Sequence, residues 1–247
     1  MKKWARALFH PNLPLEGRHY VTASKEHIEL SRKAAAEGMV LLKNKNSVLP
    51  LAQGSVIAAV GRGIRDIVKG GGGTGDVFTP FVTTLEQGLR QCGIHMDEAL
   101  LEYYRNDVEQ QYAQGAVPGM TVEPPAPAAL LDSAASVTDT ALIVFCRFSG
   151  EGWDRVDSGF QNPEFNPFKE RDMLSQRIAK VYPDGDFYLT QEEKELVKAV
   201  CSRFSKVIAV LNTGGIIDLS WIRDNACIQG ALLMWQGGTD GGTAAAR

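Results

Sequence analysis

The chain has few histidines and cysteines, and they show no ligand-like spacing. Its four histidines are scattered over 247 residues, and none of its four cysteines lies in a CxxC pair. This scatter argues against a metal site, and we expect no bound metal or other cofactor. The cysteines are instead expected to be buried small hydrophobic residues in a reducing compartment. They are Cys92, Cys146, Cys201 and Cys227.

Excess charge and long apolar runs are also missing. The net charge is −3 with a pI near 5.9, and the basic residues are spread among acidic ones. No basic face of the kind that binds nucleic acid is therefore expected. Lys2 and Lys3 open the chain, but Arg6, His10 and Pro11 interrupt any apolar stretch, so we predict no signal peptide and no membrane span. These features favour a cytoplasmic protein with no nucleic-acid or membrane partner.

Short apolar runs alternate with helical segments along most of the chain. Polar N-caps at Ser24, Thr84 and Thr190 predict the starts of three helices. The strand candidates are Val56–Val60, Ala141–Cys146, Val207–Leu211 and Ala231–Trp235. Apolar strands that alternate with helices predict an α/β fold, here a three-layer α/β/α sandwich with a mostly parallel, flavodoxin-like sheet. Residues 1–23 are predicted to be an N-terminal arm, and residues 24–247 the sandwich domain.

A glycine-rich loop, GGGGTGDVF, covers Gly70–Phe78. It lacks the Gly-Lys-Ser/Thr ending of a phosphate-binding loop, because Asp76 follows Gly75. An acidic residue there would repel a pyrophosphate. The pattern favours a flexible loop that borders a neutral ligand, and Gly72, Gly73, Thr74 and Asp76 are its candidate substrate-binding residues.

The segment SGEGWDR, Ser149–Arg155, follows the most apolar strand candidate. Glu151 lies between two glycines, so its carboxyl is free to project into a cleft at the carboxyl end of the sheet. Trp153 is suited to stacking on a sugar, while Asp154 and Arg155 are suited to ordering the loop. On spacing alone, an ordinary turn with an exposed glutamate explains the segment better than a catalytic role does. The long irregular stretch that follows, rich in aromatics, indicates a surface that covers a ligand or another domain, or packs on itself.

Several motifs in order resemble glycoside hydrolase family 3. They cover nearly the whole chain from residue 24, and as an ordered series they are more specific than any one of them. The segments are AAAEGMVLLKNKNSVLPL (34–51), SGEGWDR (149–155), DFYLTQEEKELVKAV (186–200), KVIAVLNTGGIIDLSWI (206–222) and ALLMWQGGTDGGTAAA (231–246). The resemblance identifies residues 24–247 with that family's (α/β)6 sandwich domain.

The resemblance implies a retaining, exo-acting β-glycosidase, most often a β-glucosidase, acting on a β-linked glucoside or oligosaccharide. It implies that Glu151 is the general acid/base. It also implies an aspartate nucleophile on a TIM-type barrel, whose motif this sequence does not contain. The chain looks like a fragment with reversed domain order and the barrel downstream, so we expect it to be inactive alone.

Other functions stay open at this point. The chain could be a non-catalytic binding or assembly domain of the same fold, or a nucleotide-binding α/β domain. Variants of Glu151 in the parent protein separate the first from the enzyme, and an ATP or NAD titration excludes the second. The sugar, the linkage, a homo-oligomeric state and the roles of Lys43, Asn44 and Asp240 are not determined by the sequence.

Overall fold

A six-stranded sheet organises the chain. The computed structural model describes residues 23–150 and 181–247, with the backbone alone at residues 15–16 and 19–20 and at Thr74. Within these limits the strands are β1 Leu15–Glu16, β2 His19–Tyr20, β3 Val40–Asn44, β4 Val56–Val60, β5 His95–Met96, β6 Thr140–Arg147, β7 Lys206–Thr213 and β8 Ile228–Leu233. Strands β1 and β2 pair as a separate antiparallel hairpin.

The order of the large sheet is β3-β8-β7-β6-β4-β5. Only β3, at one edge, runs antiparallel to its neighbour. The five parallel strands follow the flavodoxin-like order, in which the first strand lies between the second and the third. The predicted mostly parallel, three-layer sandwich is therefore confirmed.

Seven helices accompany these strands in the described residues. They are α1 Lys25–Gly38, α2 Leu85–Gln91, α3 Glu98–Ala113, α4 Ala128–Ala135, α5 Gln191–Cys201, α6 Ser220–Arg223 and α7 Gly241–Ala246. Two contacting groups form, α1, α2 and α7 in one and α3, α4 and α5 in the other. None of these helices is long and apolar enough to cross a membrane.

The three helix starts predicted from polar N-caps are confirmed. Ser24 caps α1, accepting a hydrogen bond from His27 N at 3.3 Å. Thr84 and Thr190 each form a capping box, with Gln87 and Glu193 respectively. A capping box satisfies two backbone N–H groups that the first helical turn leaves unpaired, so it fixes the start of a helix locally.

The core lies between the sheet and its helices. Seven of the eight residues of β6 and of β7 are buried, as expected of central strands covered on both faces. Helix α1 differs, because none of its residues is buried. It lies at the periphery of the domain, next to α7.

Two of the four cysteines differ from the expectation of unpaired thiols. Cys201 and Cys227 form a disulfide with a Cα–Cα distance of 5.7 Å. The end of α5 and the residue before β8 meet there, although 26 residues separate them in sequence. Spacing could not reveal the pairing because the crossover between β7 and β8 creates it. Cys146 is free and buried as expected, and Cys92 is free and partly buried.

Candidate functional site

Four loops meet at the carboxyl edge of the sheet. They follow β4, β6, β7 and β8, and the chain crosses from one face of the sheet to the other around β4. In sheets of this kind, ligands bind in the crevice next to that crossing point. The residues that approach one another are Gly71, Gly72, Ser149, Gly150, Gly214 and Gln236.

The glycine loop packs backbone against backbone on Gly150. A Cβ atom on Gly150 would lie 2.1 Å from Gly72 N, and one on Gly71 would lie 2.8 Å from Gly150 Cα. Distances below 3.0 Å are essentially never seen for real Cβ atoms. Glycine is required at both positions because two stretches of main chain touch there.

Ser149 is held from the other side. Gln236 Nε2 donates a hydrogen bond to the Ser149 carbonyl at 2.9 Å. A Cβ atom on Gly214 would lie 2.6 Å from the Ser149 Cβ, so the loop after β7 also closes on this residue. Asn212 joins two of these loops, because its side chain bonds the Val68 N–H at 2.6 Å and the Val68 carbonyl at 3.0 Å and also reaches the Trp235 carbonyl. The main chain directly before residue 151 is therefore fixed by three loops.

The structure places only some of the predicted site residues. Gly72 is partly buried next to Phe148, and Gly73 opens a 3₁₀ turn over Gly73–Gly75 that includes the backbone of Thr74. Asp76 is exposed and forms an ion pair with Lys69 at 2.9 Å. The remaining predicted residues, Glu151, Trp153, Asp154 and Arg155, lie outside the described residues.

A buried charged cluster beneath these loops was not predicted from the sequence. We call it the base cluster, and it consists of Arg62, Asp66, Arg147, Tyr182 and Glu193. Both arginines are at least 98% buried. One visible signal was the Arg62–Asp66 spacing of four residues, which pairs charges on a helical turn.

Arg147 and Glu193 form a two-pronged ion pair in this cluster. Arg147 Nη1 donates to Glu193 Oε1 at 2.7 Å, and Nη2 donates to Oε2 at 2.5 Å. Burial alone would raise the pKa of Glu193, but the Arg147 guanidinium, together with Arg62 and the Thr190 N–H, holds the pKa below its usual value. Glu193 thus stays ionised in the interior, and its carboxylate also caps α5 through Thr190 N at 2.9 Å.

Arg62 connects the loop after β4 to β6 and to Tyr182. Its guanidinium donates to Asp66 at 2.9 Å, to the Cys146 carbonyl at 3.0 Å and to the Tyr182 hydroxyl. Burial raises the pKa of Tyr182 to about 12, even though both guanidiniums act to lower it. The phenol is therefore neutral and can accept from Arg62.

The structure gives structural roles to Lys43 and Asn44. Lys43 Nζ donates to the carbonyls of Ile222 and Asn225 at 2.7 and 2.9 Å, which ties edge strand β3 to the end of α6. The Asn44 side chain bonds both the N–H and the carbonyl of Leu49 and closes the turn between them.

Asp240 is also structural. Its carboxylate is buried and forms an ion pair with Arg32 of the otherwise exposed helix α1. Burial opposes ionisation, but hydrogen bonds from Thr243 and Thr83 and the Arg32 guanidinium together hold the pKa of Asp240 below its usual value. Asp240 therefore fastens α1 to the start of α7.

Replacing Asp240 by asparagine is expected to lower the free energy of unfolding by about 2 kcal/mol, because a buried, charge-assisted hydrogen bond is lost. Urea unfolding at neutral pH measures this. Glu37→Gln is the control, since it removes an exposed carboxylate of α1 whose pair with Lys33 spans 3.8 Å. Its effect should stay within about 0.5 kcal/mol. Equal effects of both substitutions would contradict the role given to Asp240.

No group of three or more His, Cys, Asp or Glu side chains in the described ranges is arranged to hold a metal ion. What the described edge of the sheet offers is a set of loops that pack closely at their glycines. These contacts form a rigid main-chain support directly before residue 151.

Comparison with known proteins adds relatives to this geometry. A family model described as the glycosyl hydrolase family 3 C-terminal domain matches residues 39–247. Beta-glucosidase A of Butyrivibrio fibrisolvens is 47% identical over 250 residues, which cover 100% of this chain and 30% of that protein. A beta-glucosidase of Ruminococcus albus is 33% identical and is matched over 90% of this chain and 21% of its own length.

A solved structure shares the fold. A beta-glucosidase from Paenibacillus barengoltzii superposes with a TM-score of 0.74 and 28% identity, covering 91% of this chain and 23% of that one. The chain thus spans less than a third of the length of each of these three relatives.

Proposed function

Because the chain belongs to glycoside hydrolase family 3, we propose that it is the domain of a retaining β-glucosidase that supplies the proton donor, Glu151. One observation carries the proposal. Gly150, the residue before Glu151, is fixed at the carboxyl edge of the sheet by main-chain contact with the glycine loop. A catalytic group needs such a rigid support to keep its geometry.

The chemistry requires two carboxyl groups about 5–5.5 Å apart, one on each side of the anomeric carbon. One attacks that carbon, and the other gives a proton to the departing oxygen. The donor then takes a proton from water, which attacks the covalent intermediate. Glu151 takes the role of donor and base, and an aspartate on a barrel domain outside this chain takes the role of nucleophile.

The glycine loop has a binding role in this proposal. Gly72, Gly73, Thr74, Asp76 and Trp153 border the side of the cleft that accepts the leaving group. This wall of the proposed cleft offers mainly backbone at Gly72 and Gly73, and Lys69 beside it is neutralised by its ion pair with Asp76. A neutral sugar or aryl group suits such a wall, whereas a polyphosphate does not.

The proposal is tested in the full-length protein with Glu151→Gly. The variant should lose activity on β-glucosides with poor leaving groups far more than on activated aryl β-glucosides, because only the former need the proton. Azide should restore turnover of the activated substrates by attacking the intermediate. The measurements are kcat/KM over a series of leaving groups, and kcat for the activated substrates with and without azide.

Asp184→Gly is a matched control. Asp184 is an exposed turn carboxylate that lies between β6 and α5 in the sequence, as Glu151 does. Its removal should leave the leaving-group dependence unchanged. If Glu151→Gly showed no more dependence on the leaving group than this control, the assignment of Glu151 would be wrong.

The need for a second domain is tested separately with residues 1–247 alone. Robust hydrolysis of an aryl β-glucoside by this chain would contradict that need.

A further inference from the structure

The base cluster lies directly under the two ends of the segment that contains Glu151. That segment leaves the sheet at Arg147, the last residue of β6, and returns through Tyr182 to Tyr188 just before α5. Arg147 precedes Glu151 by four residues, a reach of at most about 14 Å of extended chain. Because Arg147 is also buried, we argue its influence on the site through the backbone.

We propose that Arg147 and Glu193 are positioning residues for the proton donor: their buried ion pair fixes both ends of the segment that carries Glu151. The inference rests on the proposed function, since it concerns the same catalytic group. It assigns a role to the buried base cluster.

The hydrogen bonds of Arg147 carry the argument. Its Nε donates to the Asp186 carbonyl at 3.1 Å and its Nη2 to the Tyr188 carbonyl at 3.2 Å, so the return of the segment is held directly. Its two Nη atoms also donate hydrogen bonds to the Glu193 carboxylate at the start of α5. One planar guanidinium thus joins the end of β6, the returning chain and the next helix in a single geometry.

Tyr182 connects these contacts of Arg147 to the loop after β4. The Arg147 Cζ atom lies 4.7 Å from the centroid of the Tyr182 ring, and the hydroxyl of the ring accepts from Arg62. Arg62 also bonds the Cys146 carbonyl, so the exit and the return of the segment share one buried support.

Stability alone does not account for such a cluster. A buried ion pair is often no more stabilising than apolar side chains of equal volume, because desolvation offsets the attraction. A two-pronged ion pair adds geometric specificity, because its two donors and two acceptors fit together in only one relative orientation. Such a pair at the base of a catalytic segment is therefore explained by a role in positioning that segment.

Glu193→Gln in the full-length enzyme tests the proposal. It removes the charge that fixes Arg147 while it keeps the shape of the side chain. A displacement of the donor by about 1 Å costs on the order of 100-fold in rate. We expect kcat/KM to fall about 10- to 100-fold for poor leaving groups and much less for activated aryl β-glucosides. The limb of the pH profile that reports the donor should also shift.

Glu86→Gln is the matched control. Glu86 is likewise a buried carboxylate with arginine partners, Arg65 at 3.1 Å and Arg90 and Arg105 at 3.3 Å, but it lies on α2 and holds neither end of the segment. It should lower stability without changing the leaving-group dependence. Arg147→Lys, which keeps the charge and loses the fork, should show the selective loss of Glu193→Gln.

A double variant separates the two proposals. If Glu151→Gly is selective for poor leaving groups, adding Glu193→Gln to it should cause no further selective loss. Equal loss on all substrates in Glu193→Gln, with Glu151→Gly still selective, would overturn positioning and leave the function intact. If Glu151→Gly showed no selective loss on poor leaving groups, the proposed function itself would be overturned.

If Glu193→Gln does not fold, Tyr182→Phe replaces it. A loss of activity confined to poor leaving groups supports positioning, and an equal loss on all substrates overturns positioning.

Discussion

Replacing Gly88 by alanine is expected to destabilise the domain by about 3 kcal/mol or more, against the preference of the helix that contains it. Gly88 lies inside α2, where alanine is ordinarily the better residue by about 1 kcal/mol. The structure reverses this sign, because a Cβ atom on Gly88 would lie 2.2 Å from the carbonyl oxygen of Gly242 at the start of α7.

The contact leaves little room for relief. Gly242 C and Thr243 N lie 2.5 and 2.8 Å from the same Cβ position, so all three obstacles are backbone atoms. The fit is mutual, since a Cβ atom on Gly242 would lie 2.2 Å from the Thr84 carbonyl oxygen. The helices would have to separate by about 1 Å, which disturbs their packing along the whole contact and makes overpacking costly.

Urea unfolding of Gly88→Ala measures this effect. Gly38→Ala is the control: Gly38 ends helix α1, and its added Cβ would meet nothing within 4 Å. That variant should be more stable than the natural chain by about 0.5–1 kcal/mol. The same chemical change is thus expected to have opposite signs in two helices. A gain of stability in both would show that α2 and α7 do not pack as described.

The sequence predicted the elements whose signals are local. The bounds of β4 agree with the predicted Val56–Val60, and the caps at Thr84 and Thr190 are formed as expected. Strand β8 begins at Ile228 and not at the predicted Ala231. The reason is physical: Gly230 looks like a strand breaker, but its lack of a side chain gives room to Val48 and Ile208.

The loops of the site could be predicted from the sequence, but the buried base cluster beneath them could not. Loops after parallel strands meet at one edge, so the glycine loop and the segment after β6 were expected there, and their glycines touch. The base cluster depends on distant partners: Arg147 and Glu193 are 46 residues apart, and Arg62 and Tyr182 are 120 apart. No periodicity or motif relates such positions, because only the assembled sheet brings them together.

The glycines of the GGTDGG stretch show the same limit. From sequence, such a loop after a strand suggests a ligand site. In the structure Gly242 packs against α2, and Asp240 holds α1. A glycine chosen for close helix packing and one chosen for a ligand look alike in a sequence, and only the neighbouring atoms separate them.

The second large effect concerns Glu123, whose replacement by glutamine is expected to stabilise the domain at pH 8 by up to about 4 kcal/mol and to change little near pH 5. Burial raises the pKa of Glu123 to about 8, and the Arg62 N–H that Oε2 accepts at 3.0 Å only partly opposes this. Glu193 and Asp107 raise the pKa further through their negative charge. Among the described residues, Glu123 Oε1 has no hydrogen-bond partner.

The sign follows from proton binding. The ordinary pKa of this carboxyl is 4.5, so between pH 4.5 and 8 the folded state keeps a proton that the unfolded state has released. The free energy of unfolding must then fall as pH rises through this window, by about 1.4 kcal/mol per unit where the difference is one full proton. Glutamine carries no titratable proton and should abolish this fall.

Urea unfolding of both proteins at pH 5, 6, 7 and 8 checks the prediction. Glu102→Gln, which removes an exposed carboxylate from α3 that pairs with Arg105 at 2.7 Å, should keep the slope of the natural chain. Parallel curves for the natural chain and Glu123→Gln would contradict a buried, protonated Glu123.

Charge balance explains why Glu123 keeps its proton. The guanidiniums of Arg62 and Arg147 already face the carboxylates of Asp66 and Glu193, so one more negative charge would be buried without a counter-ion.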